Sequence, residues 1–146
     1  MNNEVTKITV QTIVNATIER VWKLWTTATE IMQWNIPFSD WHSPRVEIDL
    51  RSGGSFLFRM EAKDGSAGFD HKGTYDTVIQ NEIIEYTVSD GRTSKIKFVN
   101  DGDSTTVIEI FEPEKETPIE VQRDFVQSVL NNFKRYAEGA LATSDY

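Results

Sequence analysis

The last long stretch of the sequence, residues 117–140, reads as one helix with an apolar side, and such a helix must be covered. Thr117-Pro118-Ile119-Glu120 carries a helix-start pattern, with a hydroxyl at the cap, proline at the first helical position and a carboxylate three after the cap. On a wheel of about 100° per residue, Ile119, Val126, Val129, Leu130, Phe133, Tyr136, Ala137 and Ala140 share one side. Asp124, Asn131, Lys134, Arg135 and Glu138 take the other. The helix spans about 35 Å at about 1.5 Å per residue. Each large side chain of that stripe contributes about 1.5–3 kcal/mol if fully buried, so the stripe needs a broad partner, and a sheet is the natural one. Gln122 interrupts the stripe. Either it reaches solvent near the helix end, or it points into a cavity and hydrogen-bonds a ligand.

The preceding residues supply the sheet. Val5 to Val14 alternates as a first strand, with Ile8, Val10, Thr12 and Val14 on one face. Residues 1–4 are expected to be loose. Ile18, Val21, Trp22 and Trp25 then recur at helical spacing after the cap residues Asn15-Ala16-Thr17, and a second short helix opens at Thr29-Glu30 and carries Ile31, Met32 and Trp34. Asn35 to Ser43 reads as a loop holding Phe38, Trp41 and His42. Six strands follow, at Val46–Leu50, Ser55–Ala62, Gly73–Ile79, Ile83–Val88, Thr93–Val99 and Thr105–Phe111, with Lys63–Lys72 as a loop. Asp90-Gly91 and Asp101-Gly102 are hairpin turns, so the later strands are antiparallel neighbours. Each strand is apolar on one face and charged on the other, so the sheet is covered on one side only. The predicted fold is α+β: a curved antiparallel sheet of about seven strands wrapped around the long C-terminal helix, with two short helices after the first strand. Twist lets such a sheet curl around the helix without meeting it everywhere, which leaves an elongated cavity.

Length and charge bound the rest. The 146 residues suffice for one domain over positions 1–146. A net charge of −8 argues against nucleic acid, whose binding needs Lys and Arg against phosphates, and against an anionic membrane surface. There is no cysteine, hence no disulfide, thiol nucleophile or thiolate metal site. No apolar run resembles a signal peptide or a membrane span, so a soluble cytoplasmic protein is expected.

An ordered set of local motifs resembles a known family. It comprises Ile18-Glu19-Arg20-Val21-Trp22 with Trp25 and Thr26, Trp34, Gly53-Gly54-Ser55-Phe56 and Gly73-Thr74-Tyr75. Tyr86-Thr87, Asp90-Gly91-Arg92, Gln122-Arg123-Asp124 and Leu130-Asn131-Asn132-Phe133-Lys134 complete it. Nearly the whole chain resembles the START-like (helix-grip) superfamily, and within it the small single-domain bacterial homologues of the activator of heat-shock protein 90 ATPase. The resemblance implies carriers or sensors of small apolar ligands, with relatives that are lipid-transfer domains, aromatase/cyclases or a chaperone activator linked to stress. It also implies a pocket between sheet and long helix.

By face, the positions that could line that pocket are Trp34, Trp41, Phe56, Phe58, Met60, Tyr75, Tyr86, Phe98, Gln122, Val126 and Leu130. The alternative is that these rings meet and fill the space. Tyr75, Tyr86 and Gln122 would be its hydrogen-bonding groups. The two histidines, His42 and His71, both fall in predicted loops and lack metal-ligand spacing. Surface histidines are the expectation, with His42 as a general base the minor alternative. No G-x-S-x-G turn occurs, and Gly53-Gly54 and Gly65-x-x-Gly68 read as turns rather than phosphate cradles. Glu112, Glu114, Glu116 and Glu120 suit the positive end of a helix. The expected function is therefore binding of a small hydrophobic or aromatic molecule, without metal or cofactor. The alternatives are a co-chaperone-like interaction domain acting through the acidic surface, and a cyclase- or hydrolase-like enzyme using a pocket Tyr or His. The ring-rich 37–41 loop could serve a homodimer contact or a lid.

Overall fold

The computed structural model describes residues 6–143, and side chains as far as residue 139. The opening residues expected to be loose, and the side chain of Ala140, lie outside that description. The chain runs β1 (Ile8–Val14), α1 (Ile18–Thr26), α2 (Ala28–Trp34), β2 (Trp41–Ile48), β3 (Ser55–Ala62), β4 (Gly68–Ile79), β5 (Ile83–Val88), β6 (Thr93–Asn100), β7 (Thr105–Phe111) and α3 (Ile119–Thr143). The strands form one antiparallel sheet in the order β1-β7-β6-β5-β4-β3-β2. The two short helices carry the chain from one edge, β1, to the other, β2. Five consecutive antiparallel steps then lead back until β7 pairs with β1. This is the α+β helix-grip arrangement expected from the sequence.

Local chemistry explains the elements. Thr17 caps α1, its side chain accepting from the Arg20 amide at 3.4 Å. Gly91 and Gly102 adopt φ of +96° and +80° in the two Asp-Gly turns, the left-handed region that glycine enters without cost. At Gly73 a Cβ would lie 2.2 Å from the Thr87 carbonyl oxygen, so only glycine lets β4 and β5 approach this closely where the sheet curls. A bulge between Tyr75 and Thr77 shifts the β4 register, so that Tyr75 and then Val78 face inward.

Two strands are longer than their sequence suggests. β2 starts at Trp41, because Trp41 and His42 pair with Ala62 and Glu61 before a register shift carries the strand past Pro44. A proline is tolerated there because β2 is an edge strand. β4 starts at Gly68, with Phe69 opposite Met60 and His71 opposite Phe58.

The helix start also differs from expectation. The amides of Val121 and Gln122 donate to the Pro118 carbonyl at 3.1 and 3.2 Å, so Pro118, not Thr117, occupies the cap position. Thr117 instead accepts at its carbonyl from the Gln122 side-chain amide at 2.7 Å.

α3 lies against β1, flanked by α2 and α1. Leu130, Phe133 and Ala137 are wholly buried there, with Val14, Val21 and Val107. Side chains of α3 also close the open edge of β1. Gln127 donates to the Gln11 carbonyl at 3.1 Å and Lys134 to the Ile13 carbonyl at 2.6 Å, using up groups that would otherwise invite another strand. Asn132 donates to the Trp34 carbonyl at 2.9 Å. Tyr136 is hydrogen-bonded to Glu30. Among the described residues no helix is long and apolar enough to cross a membrane.

Candidate functional site

The helix does not meet the sheet along its whole length. Beneath its first half, roughly residues 121–129, is a cavity of about 510 Å³ bounded by the inner face of β3 to β7 and by the end of α2. Phe56, Phe58 and Met60 of β3 border it, as do Tyr75 of β4, Tyr86 of β5, Trp34 of α2, and Gln122 and Val126 of α3. Strand alternation puts these side chains on one face, and helical spacing brings Gln122 and Val126 down onto it. Phe56 packs against Tyr75 and Tyr86 with ring centroids 5.1 and 4.9 Å apart. The rings therefore make a wall and do not fill the space.

Three positions predicted for the lining are placed elsewhere. Phe98 is edge-on to Trp22 and Trp25, at 5.2 and 5.8 Å, inside the packed end of the molecule. Leu130 is wholly buried, at the point where the helix comes down onto its neighbours. Trp41 stands outside the wall, its ring 6.1 Å from Phe69 and 6.3 Å from Phe125, which themselves border the cavity. Phe69 and Val121 are 39% and 54% exposed, which marks the side on which the cavity opens.

Gln122 serves the backbone. Its amide nitrogen donates to the carbonyls of Glu114 and Thr117 at 3.0 and 2.7 Å, and its oxygen accepts from the Glu114 amide at 2.9 Å. One oxygen lone pair is all it has left for anything else. The amide thus ties the 112–118 connection to the first turns of α3.

The histidines part company. His42 faces outward, its side chain 46% exposed and its Nε2 3.3 Å from Glu61. His71 is not a surface loop residue; it borders the cavity from β4, stacked beside Phe58 at 6.0 Å with its Nε2 3.4 Å from the Tyr86 hydroxyl. Burial, helped by the Arg92 charge, pushes His71 down to about 4, so the ring is neutral near pH 7. Burial pushes the hydroxyls of Tyr75 and Tyr86 above the usual phenol range, so both remain proton donors.

The sequence reading passed over Glu109. It occupies an inward position of β7, opposite Ile96 on β6 and Val10 on β1, and borders the cavity. Burial raises its carboxyl to about 7. Alternation pointed to it, since Thr105, Val107, Glu109 and Phe111 share a face. His71 shares the face of Tyr75 in the same way, but the Gly- and Asp-rich composition of 63–72 disguised the start of β4. Trp25, Phe69 and Phe125 also border the cavity. Among the described residues no group of three or more His, Asp or Glu could hold a metal ion.

The fold has counterparts in known proteins. The solution structure of the AHSA1-like protein from Aeromonas hydrophila is 38% identical, with a TM-score of 0.86 over 92% of this chain and 94% of that one. Chr148 from Cytophaga hutchinsonii is 46% identical, with a TM-score of 0.79 over 93% and 94%. Protein NE0264 from Nitrosomonas europaea, 15% identical over 97% and 99% with a TM-score of 0.79, shares the fold alone. No curated protein matches the sequence. The family model for "Activator of Hsp90 ATPase homolog 1-like protein" matches residues 15–139. With most of its length matched, the chain belongs to the Activator of Hsp90 ATPase homolog 1-like family of the START-like superfamily.

Proposed function

We propose that this protein binds a small, largely apolar or aromatic molecule in the cavity under the first half of α3. The observation that carries this reading is the hollow itself. A space of about 510 Å³ falls within the roughly 300–1,000 Å³ typical of small-molecule sites, and such sites are mainly apolar with a few convergent polar groups. Here the rings of Phe56, Phe58, Tyr75, Tyr86 and Trp34 supply the apolar wall, and Glu109, His71 and the tyrosine hydroxyls supply the polar groups.

The packing supports it. Protein interiors are close-packed, and leaving a void of this size under a helix forfeits contacts that a few larger side chains would supply. Val126 and Val129 border the space from above, where leucine or phenylalanine would narrow it.

The test is titration of the protein with 2-methylnaphthalene, followed by amide chemical shifts. Shifts confined to the inner strands β3 to β7 and residues 121–129, saturating with added probe, are expected. A probe that leaves those amides unmoved, or moves only exposed surface residues, would overturn the reading.

A further inference from the structure

We propose that the cavity takes an amphiphilic amine, a small molecule with an aromatic or branched apolar body and a protonated nitrogen seated on the Glu109 carboxylate; this rests on the cavity being a binding site.

The choice of head group follows from which polar groups on the wall are already occupied. Glu112 accepts from the Thr93 amide at 2.9 Å and from its hydroxyl. Glu114 Oε2 accepts from the Glu116 amide at 3.1 Å, while its Oε1 is buried without a partner, a second acceptor suited to a cation rather than an anion. Arg92 is paired with Asp90 at 2.8 Å. His71 and Tyr86 face each other at 3.4 Å, with Ser94 beside the tyrosine hydroxyl. The Glu109 carboxyl borders the same space, and no side chain or backbone group among the described residues donates to it. Its cross-strand neighbours, Val10 and Ile96, are apolar.

A lone carboxyl in such surroundings is neutralised by a proton or by a cation, because a bare buried charge is costly. A ligand ammonium satisfies it with a charge-assisted hydrogen bond. Tyr86, close enough to Glu109 for the two to interact electrostatically, and the other rings bordering the space offer the same group cation–π attraction. An anionic ligand would find no free positive partner, since Arg92 is engaged and His71 is neutral near pH 7. The titratable and charged groups facing the cavity are His71 and Tyr75 from β4, Tyr86 from β5, Arg92 from the β5–β6 turn, and Glu109, Glu112 and Glu114 from β7 and the segment after it. α3 contributes only uncharged side chains to the wall. Glu112 and Glu114 are held below the usual carboxylate range by their hydrogen bonds, while Glu109 titrates near 7.

The experiment is a comparison of 2-naphthylmethylamine, 2-naphthylmethanol, 2-methylnaphthalene and 2-naphthoate by fluorescence titration from pH 5.5 to 8, on the wild-type protein and on Glu109→Gln. At pH 8 the amine binds at least about tenfold tighter than the alcohol, and naphthoate binds most weakly. Below about pH 7 the amine loses close to tenfold per pH unit as a proton competes for Glu109. Glu109→Gln brings the amine to the level of the alcohol and flattens that profile. The alcohol or naphthoate binding as tightly as the amine, or an amine affinity insensitive to both pH and Glu109→Gln, overturns the head-group assignment while the cavity reading stands. Failure of all four to bind overturns both. Should Glu109→Gln not fold, the wild-type ranking and pH profile still decide.

Discussion

The two halves of α3 have similar sequence patterns and different surroundings. From Leu130 to Ala137 the helix is clamped between β1, α1 and α2, and Leu130, Phe133 and Ala137 are wholly buried. From Val121 to Val129 the same stripe looks onto a hollow, and every inward side chain is only partly buried. Trp25, Trp34 and Phe133 meet at centroid distances of 4.6–4.9 Å and form the boundary between the two. One half of the helix therefore serves stability, and the other roofs a space. Residues of equal hydrophobicity on the two sides of that boundary should respond very differently to substitution.

The largest contrast is Phe133→Ala against Val126→Ala. Truncating the wholly buried Phe133 should cost about 3–5 kcal/mol, the usual range for large-to-small changes at aromatic core positions. Val126 already borders empty space, so its truncation should cost less than about 1 kcal/mol. Urea denaturation of both variants checks this, and comparable losses would erase the distinction between the halves.

Next comes the pH dependence of the unliganded protein. Glu109 has a folded value of about 7 against 4.5 when free, so the fold favours its protonated form. Its contribution is fully present below about pH 4.5 and is lost as pH rises through about 7. His71 acts oppositely: its folded value of about 4 lies below the free 6.5, so its contribution is lost as pH falls from about 6.5 through about 4. The two oppose each other in the wild type, and Glu109→Gln separates them. That variant should gain up to about 3 kcal/mol on the wild type above pH 7 and nothing below about pH 4.5. Equal stability at pH 8 would mean that the Glu109 carboxyl is well solvated.

Smaller again is Gln122→Ala. It removes three hydrogen bonds to backbone groups of Glu114 and Thr117, at about 1–2 kcal/mol net given their partial exposure. Hydrogen exchange should localise the loss to residues 112–122. The smallest effect on stability and a large one on function is expected for Val126→Trp, which projects a large ring into the hollow from its roof. Its unfolding midpoint should stay close to wild type while 2-methylnaphthalene binding falls at least about tenfold.

The topology was legible because period-2 alternation and two Asp-Gly turns leave few ways to pair the strands, and the long stripe of α3 demands a sheet. The site was legible only in part. Face assignment says which way Phe56, Tyr75 or Val126 points, but not how far the helix stands off the sheet at each level. Phe98 and Leu130 share the correct face yet lie past the boundary made by Trp25, Trp34 and Phe133. Glu109 illustrates the opposite failure. Its inward position follows from Val107 and Phe111, but a carboxylate in a strand reads as solvent-facing unless a cavity is already known to receive it. For Gln122 the position within the stripe was visible, while its partners in the 112–118 connection depended on a chain path that no local pattern encodes.

The half-filled clasp is tested most directly by a crystal structure of the protein under xenon pressure, since xenon enters apolar hollows and not close-packed cores. Xenon density beneath residues 122–129, bordered by Phe56 and Tyr86 and absent around Phe133, is the predicted result. Rings of Phe56, Tyr75 and Tyr86 closed up against Val126, with no xenon between them, would contradict it.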